Sequence, residues 1–510
     1  MAFLYLSRRN WLRALAGAGM GLAGGGGWPW AAAAETGPAN APRPNAGPTT
    51  LLFFDDQRLN RRDRVTRRVG RPQRIDACYY QDPGAQLAWG YPSVFFDGTS
   101  GRWRMTYNAF GKHASLLAES EDGLRWTPRD TTAELTLPKR VAPNQILPTT
   151  GTEELATTFV DDRAIAEERL KALVVYHARK NHMRTQLWVS GDGLHWKRKE
   201  DVDWQAPGAD PGSFVFWNAV RQSYTFTSRP DWTDRRIAVH ETTDWRNFTR
   251  MELALQSDAL DSPLTEPYGM PVMAYEGYYV GLLWLFHTSP LVERQSPHKF
   301  FDGHVDCQLA YSLNGWHWQR CLREPFIPNG APGEPDSGCV YPSSWTFDSD
   351  GSIRIYASAT TEEHGYQRPG AGSIVAYRLR RDGFVYLEGG AEPGVVGTRA
   401  TYWRSGDPEL NVQASPGGSV RAQVTDQAGK PLDGLRFDDC VACDGDETAW
   451  RPVWRSGQTL ARLAPRAIRI EVELRNSRLF ALRGDFVPMT GAETYRLLQD
   501  QQPPEIRPGF

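Results

Sequence analysis

No long stretch of this sequence carries apolar residues at helical spacing, which argues against a helical protein. Charge of either sign is not in excess. Lys and Arg number 58 and Asp and Glu 60, for a net charge of -2, so no basic field points to nucleic acid or an anionic surface. Cofactor motifs are missing as well. There is no Cys-x-x-Cys-His, no P-loop and no Gly-x-Gly-x-x-Gly between a strand and a helix, and no cofactor is expected. Cysteines are few. Cys307 and Cys321 flank one hairpin turn and could face each other across strands, while Cys440-Val-Ala-Cys443 is a lone Cys-x-x-Cys, weak evidence for zinc. A local disulfide or two buried thiols is the expectation there, and no metal is expected.

What is present begins with an export signal. Ser7-Arg-Arg-Asn-Trp-Leu-Arg13 resembles the twin-arginine motif, and Ala31 to Ala34 offers small residues for cleavage. The Gly/Ala-rich run from Ala14 to Gly27 is too short for a stable membrane span. Residues 1–34 are therefore expected to be a twin-arginine signal peptide and 35–50 a Pro/Gly/Ala linker. Periplasmic or secreted location follows as an expectation, without membrane contact after cleavage.

The rest of the chain is rich in Gly, Pro and aromatics, and one pattern recurs in it. Ser120-Glu-Asp-Gly-Leu-Arg-Trp126, Ser190-Gly-Asp-Gly-Leu-His-Trp196, Thr242-Thr-Asp-Trp-Arg-Asn-Phe248, Ser312-Leu-Asn-Gly-Trp-His-Trp318 and Arg380-Arg-Asp-Gly-Phe-Val-Tyr386 each follow an apolar strand pattern. Asp122, Asp192, Asp244, Asn314 and Asp382 are separated by 70, 52, 70 and 68 residues. Asp or Asn followed by Gly makes a tight turn, the hydroxyl and carboxylate can bond backbone N–H groups, and the aromatic covers the turn. Five copies read as the outer hairpins of five four-stranded sheets around an axis. The motif resembles the Asp box of sialidases, where its role is structural, so these five acids carry no catalytic weight.

Acids also precede every expected innermost strand: Asp82, Glu153 with Glu154, Asp210, Glu266, and Glu334 with Asp336. Innermost strands line the channel of a propeller, so these positions would ring one mouth. Carboxylates gathered there can divide acid and base roles, which is what glycoside hydrolysis requires. Here the sequence resembles the five-bladed β-propeller glycosidases, the group that includes invertases, levanases, arabinanases and β-xylosidases. Gln81-Asp82-Pro83-Gly84 resembles their first Asp motif, Asp210-Pro211 their second, and Glu266-Pro267 stands where their acid Glu would be. Spacings of 128 and 56 residues correspond to two blades and then one. The resemblance implies Asp82 as nucleophile or general base, Asp210 as transition-state stabiliser and Glu266 as general acid, acting on an oligo- or polysaccharide. Asn is replaced by Gln81 and the usual Arg by Ala209, and Asp258, Asp261 and Asp336 rival Glu266.

Further substrate contacts are expected from the aromatics Trp89, Tyr91, Trp217 and Tyr268, from Glu153 and Asp336, and from Asp302-x-His304-x-Asp306. That alternation sets three polar side chains on one strand face, able to line a pocket or hold a metal. His113, His177, His287 and His364 lie near expected strand ends; of these His177 and His364 follow or approach inner-blade strands and either could reach the mouth, with nothing in the sequence to separate the two. The dense Arg58 to Arg74 segment reads as a solvated edge. After Gly390 the blade pattern stops and short strands with Gly-containing turns suggest a β-sandwich. The expected fold is all-β: a five-bladed propeller over 51–395, a small β-sandwich over 396–490, and a Pro-rich tail, 491–510.

Overall fold

The computed structural model of the protein describes residues 49–82, 90–109, 114–149, 153–179, 182–205, 214–230, 232, 234–288, 302–366 and 370–491. The expected signal peptide lies outside them. Strands dominate. Among the described residues the single α-helix is Leu460–Leu463, and no helix is long and apolar enough to cross a membrane.

The fold is all-β, a five-bladed propeller followed by a small β-sandwich. Blade one is Ser93–Asp97, Arg102–Ala109, Ala114–Ser120 and Thr127–Pro128. Blade two is Glu153–Val160, Leu170–Arg179, His182–Ser190 and Lys197–Gln205. Blade three is Phe214–Asn218, Ser223–Ser228, Ile237–Thr242 and Glu252–Leu255. Blade four opens with Thr265–Gly269, resumed as Val272–Tyr275, and continues with Tyr278–Thr288, Gly303–Ser312 and Gln319–Arg320. Blade five is Cys339–Phe347, Ile353–Thr360 and Gly372–Leu379. Its fourth strand is Gln73–Tyr80, from the other end of the chain, with Tyr80 opposite Ile374. The ring is thus closed by backbone hydrogen bonds, which leaves no open edge at the seam.

Four of the five repeated turns share one bonding scheme. Ser120 Oγ accepts from the Gly123 N–H, and Asp122 Oδ1 accepts from the N–H groups of Leu124 (2.8 Å) and Arg125 (2.9 Å). Ser190–Asp192, Thr242–Asp244 and Ser312–Asn314 repeat it. The indole N–H of Trp196 and of Trp318 bonds back to the turn carbonyls of Gly193 and Gly315. Burial pushes the carboxyls of Asp122 and Asp192 up, but the hydrogen bonds outweigh it and hold both at about 2. A depressed carboxyl stabilises the fold above its unfolded pKa of about 4 and loses that contribution as pH falls toward 2. Asn314 makes the same turn without charge. The double variant Asp122→Asn/Asp192→Asn should therefore keep its turns and lose the part of the pH dependence that these two carboxyls supply. Its melting temperature should lie below the parent's at pH 7 and meet it near pH 2 in a thermal-unfolding series.

The fifth copy differs. Asp382 is fully buried and bonds out of the blade, to Tyr275 Oη (2.7 Å), Asn411 Nδ2 (2.8 Å) and the Arg483 guanidinium. Asn411 and Arg483 belong to the C-terminal sheet, so this acid ties the two sheets together. That eight-stranded sheet contains the long strands Thr401–Asp426 and Arg466–Pro488. It also takes Thr49–Leu52, Leu59–Asp63 and Val65–Val69 from ahead of the propeller, with Leu51 opposite Leu482. The stretch from 51 is therefore shared between the two sheets. Alternation divides its side chains. Leu51 and Phe53 enter the sandwich core with Trp403 and Leu410, whereas Leu52 and Phe54 pack with Val280, Tyr311 and Phe384 of the propeller. Arg62 and Arg67 pair with Asp56 and Arg68 with Glu388 on this edge.

All six cysteines are free thiols. Cys307 and Cys321 do not bridge: Cys321 Sγ donates to the Phe54 carbonyl at 3.0 Å, and Cys307 is buried beside Phe326 and Ile327. Cys440 and Cys443 are two buried thiols.

Candidate functional site

The innermost strands of a propeller run the same way, so their starting ends share one mouth of the channel. Asp82 lies where the chain passes from the closing strand into blade one. It is 4% exposed. Tyr107, on blade one's second strand, donates its phenol to Asp82 Oδ2 at 2.5 Å, and Asn144 Nδ2 donates to the same oxygen at 3.0 Å. Tyr80 Oη sits 2.7 Å from Tyr107 Oη. Burial, with the neighbouring Tyr80 and Asp82, pushes the Tyr107 phenol well above its ordinary range, so it remains a donor. Asp82 is thus a fixed acceptor in an ordered chain of hydroxyls.

Glu266 occupies the second position of blade four's first strand, opposite Phe286. Its side chain is about one quarter exposed and forms an ion pair with Arg235. The Arg235 guanidinium lies over Phe286 (5.1 Å) and Tyr268 (5.6 Å), and that of Arg229 over Tyr268 (4.9 Å). Tyr268 Oη is 2.8 Å from His364 Nε2. Asp302, 2% exposed, packs against Gly365, where an added Cβ would meet its carboxylate at 1.9 Å. Only glycine admits that approach.

Below these groups the channel is filled. Tyr91, Phe214, Tyr268, Trp284, Phe286, Val305, Cys339 and Tyr341, from blades one, three, four and five, form one buried cluster. Tyr91 stacks on Trp284 at 5.4 Å and meets Tyr341 edge-on at 5.7 Å. Tyr91 and Tyr268 are therefore a closed floor, each 4% exposed, rather than open stacking platforms for a sugar.

Other expected contacts lie elsewhere. Trp217 pairs with Tyr224 near the far end of blade three's first strand, under the Arg163 guanidinium at 3.8 Å, so strand length carries it away from the mouth. Asp336 is 3% exposed and fully engaged, accepting from Arg74 Nη1 (2.8 Å) and Tyr377 Oη (2.6 Å) of blade five's outer strands. Glu334 pairs with Arg74 too. Asp258 binds Arg323, and Asp261 binds Arg320 and Arg323. Each of Glu266's rivals is thus held by one or two arginines, as Glu266 is by Arg235. His304 begins the third strand of blade four opposite His287. Asp210 and Trp89 lie outside the described residues, as does the side chain of Glu153, whose backbone opens blade two.

No family model matches this chain, and no curated protein does. Solved structures do resemble it. An N-acetylgalactosamine deacetylase from F. plautii, in complex with blood group B trisaccharide, aligns at 15% identity over 62% of this chain and 96% of its own, with a TM-score of 0.44. A thermostable family-43 glycoside hydrolase aligns at 16% identity over 61% and 96%, with a TM-score of 0.40. A fructofuranosidase from Schwanniomyces occidentalis, complexed with fructosylnystose, aligns at 10% identity over 82% and 98%, with a TM-score of 0.38.

Sequence reasoning missed Arg229 and Arg235. They sit in the connection between the second and third strands of blade three, and their only sequence signal is the charge density of Arg229 to Arg236. Tyr107 and Asn144 were missed for a different reason, since one reaches Asp82 from blade one's second strand and the other from the connection between blades one and two. Chemically, the mouth offers a buried, hydrogen-bonded carboxylate at Asp82 and a solvent-accessible glutamate at Glu266. Arginines and a histidine beside that glutamate can bind hydroxyl or carboxylate oxygens. A hollow of about 630 Å³ in the C-terminal sheet, between Arg64, Arg68 and Arg478, is separate from the mouth, and Glu388 pairs with two of its arginines.

Proposed function

We propose that the protein is an exported glycoside hydrolase that cleaves a furanoside-type or related glycan at the propeller mouth, with transfer to a second sugar open to the same machinery. The observation that carries this reading is the pair Asp82 and Glu266, each at the start of the path into an inner strand, above an apolar aromatic floor. In the reaction Glu266 gives a proton to the leaving glycosidic oxygen. Asp82 either attacks the anomeric carbon or takes a proton from the water that does. Asp210 would complete the trio. Because Arg235 is bound to Glu266, substrate entry must part that ion pair, and Arg235 is then available to a sugar oxygen.

The same ion pair favours a second reading, a carbohydrate-binding propeller without turnover. A panel of fructans, arabinans and aryl furanosides separates the two. Sugar release by the parent, with Glu266→Gln slowed about 100-fold or more while glycan binding persists, supports hydrolysis. Binding without release by the parent rejects it. Export rests on Ser7 to Arg13. In the same cultures, replacing Arg8 and Arg9 with Lys should move the releasing activity from the periplasmic or external fraction to the cytoplasm.

A further inference from the structure

We infer that His287, His304 and Asp306 form a binding site for one divalent transition-metal ion of the zinc class. The donors come from two adjacent strands of blade four. His287 and His304 are direct cross-strand partners, and Asp306 lies two residues beyond His304, hence on the same face. One donor atom from each lies within 4.8 Å of the other two. His287 Nε2 is 3.1 Å from Asp306 Oδ2, and the two imidazoles are nearly parallel with centroids 4.6 Å apart. Ligand atoms around a tetrahedral zinc ion, at bonds of about 2.1 Å, stand roughly 3.4 Å from one another. Small side-chain rotations close the present triangle to that size.

Two further features point to an ion. Asp306 is 6% exposed, yet its Oδ1 makes no hydrogen bond among the described residues, an expensive state for a buried carboxylate without a cation. His287 Nδ1 lies 3.3 Å from Thr265 Oγ1. With that nitrogen protonated and donating to the hydroxyl, Nε2 keeps its lone pair toward the cluster, as a metal-binding imidazole requires. Two histidines and one carboxylate suit Zn²⁺ or a neighbouring first-row ion and are a poor match for Ca²⁺, which prefers all-oxygen sites. His304 is exposed, so three protein donors leave a coordination position open to solvent, for water or a substrate oxygen. Thr265 precedes Glu266, so the ion would sit at the level of the channel mouth, on the opposite face of the blade-four sheet from Phe286. The inference does not depend on the glycosidase reading.

The test uses the full-length mature protein, untagged and stripped with a chelator, titrated with ZnCl₂ by calorimetry. One equivalent should bind with a dissociation constant of about 1 μM or below, and the affinity should fall about 100-fold in His304→Ala and in Asp306→Asn. Co²⁺ should give the visible absorption of a four-coordinate site, lost in the same variants. His304→Ala removes an exposed side chain, and its melting temperature without metal should match the parent's, so the test survives even if Asp306→Asn misfolds. Absence of a one-equivalent isotherm, unchanged affinity in His304→Ala, or preference for CaCl₂ over ZnCl₂ would overturn the site.

Discussion

Replacing Asp82 with Asn should lower kcat/KM for sugar release by about 10³-fold or more, roughly 4 kcal/mol of transition-state stabilisation. The substitution keeps the shape of the side chain and an acceptor oxygen for Tyr107 and Asn144, which now approach at 2.5 and 3.0 Å. What it removes is the charge, and with it any nucleophile or base at this position. The loss belongs in kcat, because Asp82 is 4% exposed and offers a bound sugar little contact area. Two measurements bracket the result. The melting temperature of Asp82→Asn should stay within about 1 °C of the parent's. Tyr107→Phe, which deletes one donor and leaves the carboxylate, should cost far less activity than Asp82→Asn. Parent-like turnover in Asp82→Asn would remove this residue from the chemistry.

The second large effect is on stability. Asp382→Ala should destabilise the protein by about 3–5 kcal/mol and lower its melting temperature by roughly 3–5 °C. Asp382 is fully buried, and burial pushes its carboxyl up, but Arg483, Asn411 and Tyr275 together hold it below the usual range. Alanine leaves the Arg483 guanidinium, 5% exposed, with only the Glu276 carboxylate 3.9 Å away. The cost lies in that under-compensated charge more than in the lost attraction. The double variant Asp382→Leu/Arg483→Met should therefore recover much of the loss, since well-packed apolar pairs often match buried ion pairs. Thermal unfolding of the three proteins decides it. A loss below about 1 kcal/mol in Asp382→Ala would mean the two sheets are held by apolar packing alone.

Asp382 also marks the boundary between what is local and what is not. Its turn was readable as the fifth repeat, yet its first position is Arg380, with no hydroxyl to close the scheme that Ser120, Ser190, Thr242 and Ser312 share. That departure was visible in the sequence. The partners, Asn411 and Arg483, were not, because they lie 29 and 101 residues away. Asp336 makes the same point at the candidate site. It precedes an inner strand as Asp82 does, but Arg74 reaches it across 262 residues and occupies it. Aromatic type alone likewise failed to separate a platform from a floor. Tyr91, Tyr268 and Trp217 have the same chemistry on paper, and burial among strands of different blades assigns them.

By itself the sequence determined the number of blades, the inner strands of each and the strand order of the first four; the second arm of the fifth turn, Val385–Gly389, went to the C-terminal sheet instead of the last blade. Turn chemistry and two-residue alternation act over a few residues, so they are written locally. Tertiary structure decided which charges are spent on one another, which aromatics fill the channel, and that the first strands close the last blade and complete the C-terminal sheet. It also brought His287 opposite His304 and Asp306. Those outcomes depend on strand register and on contacts across hundreds of residues, where no local pattern records which partner a side chain will meet.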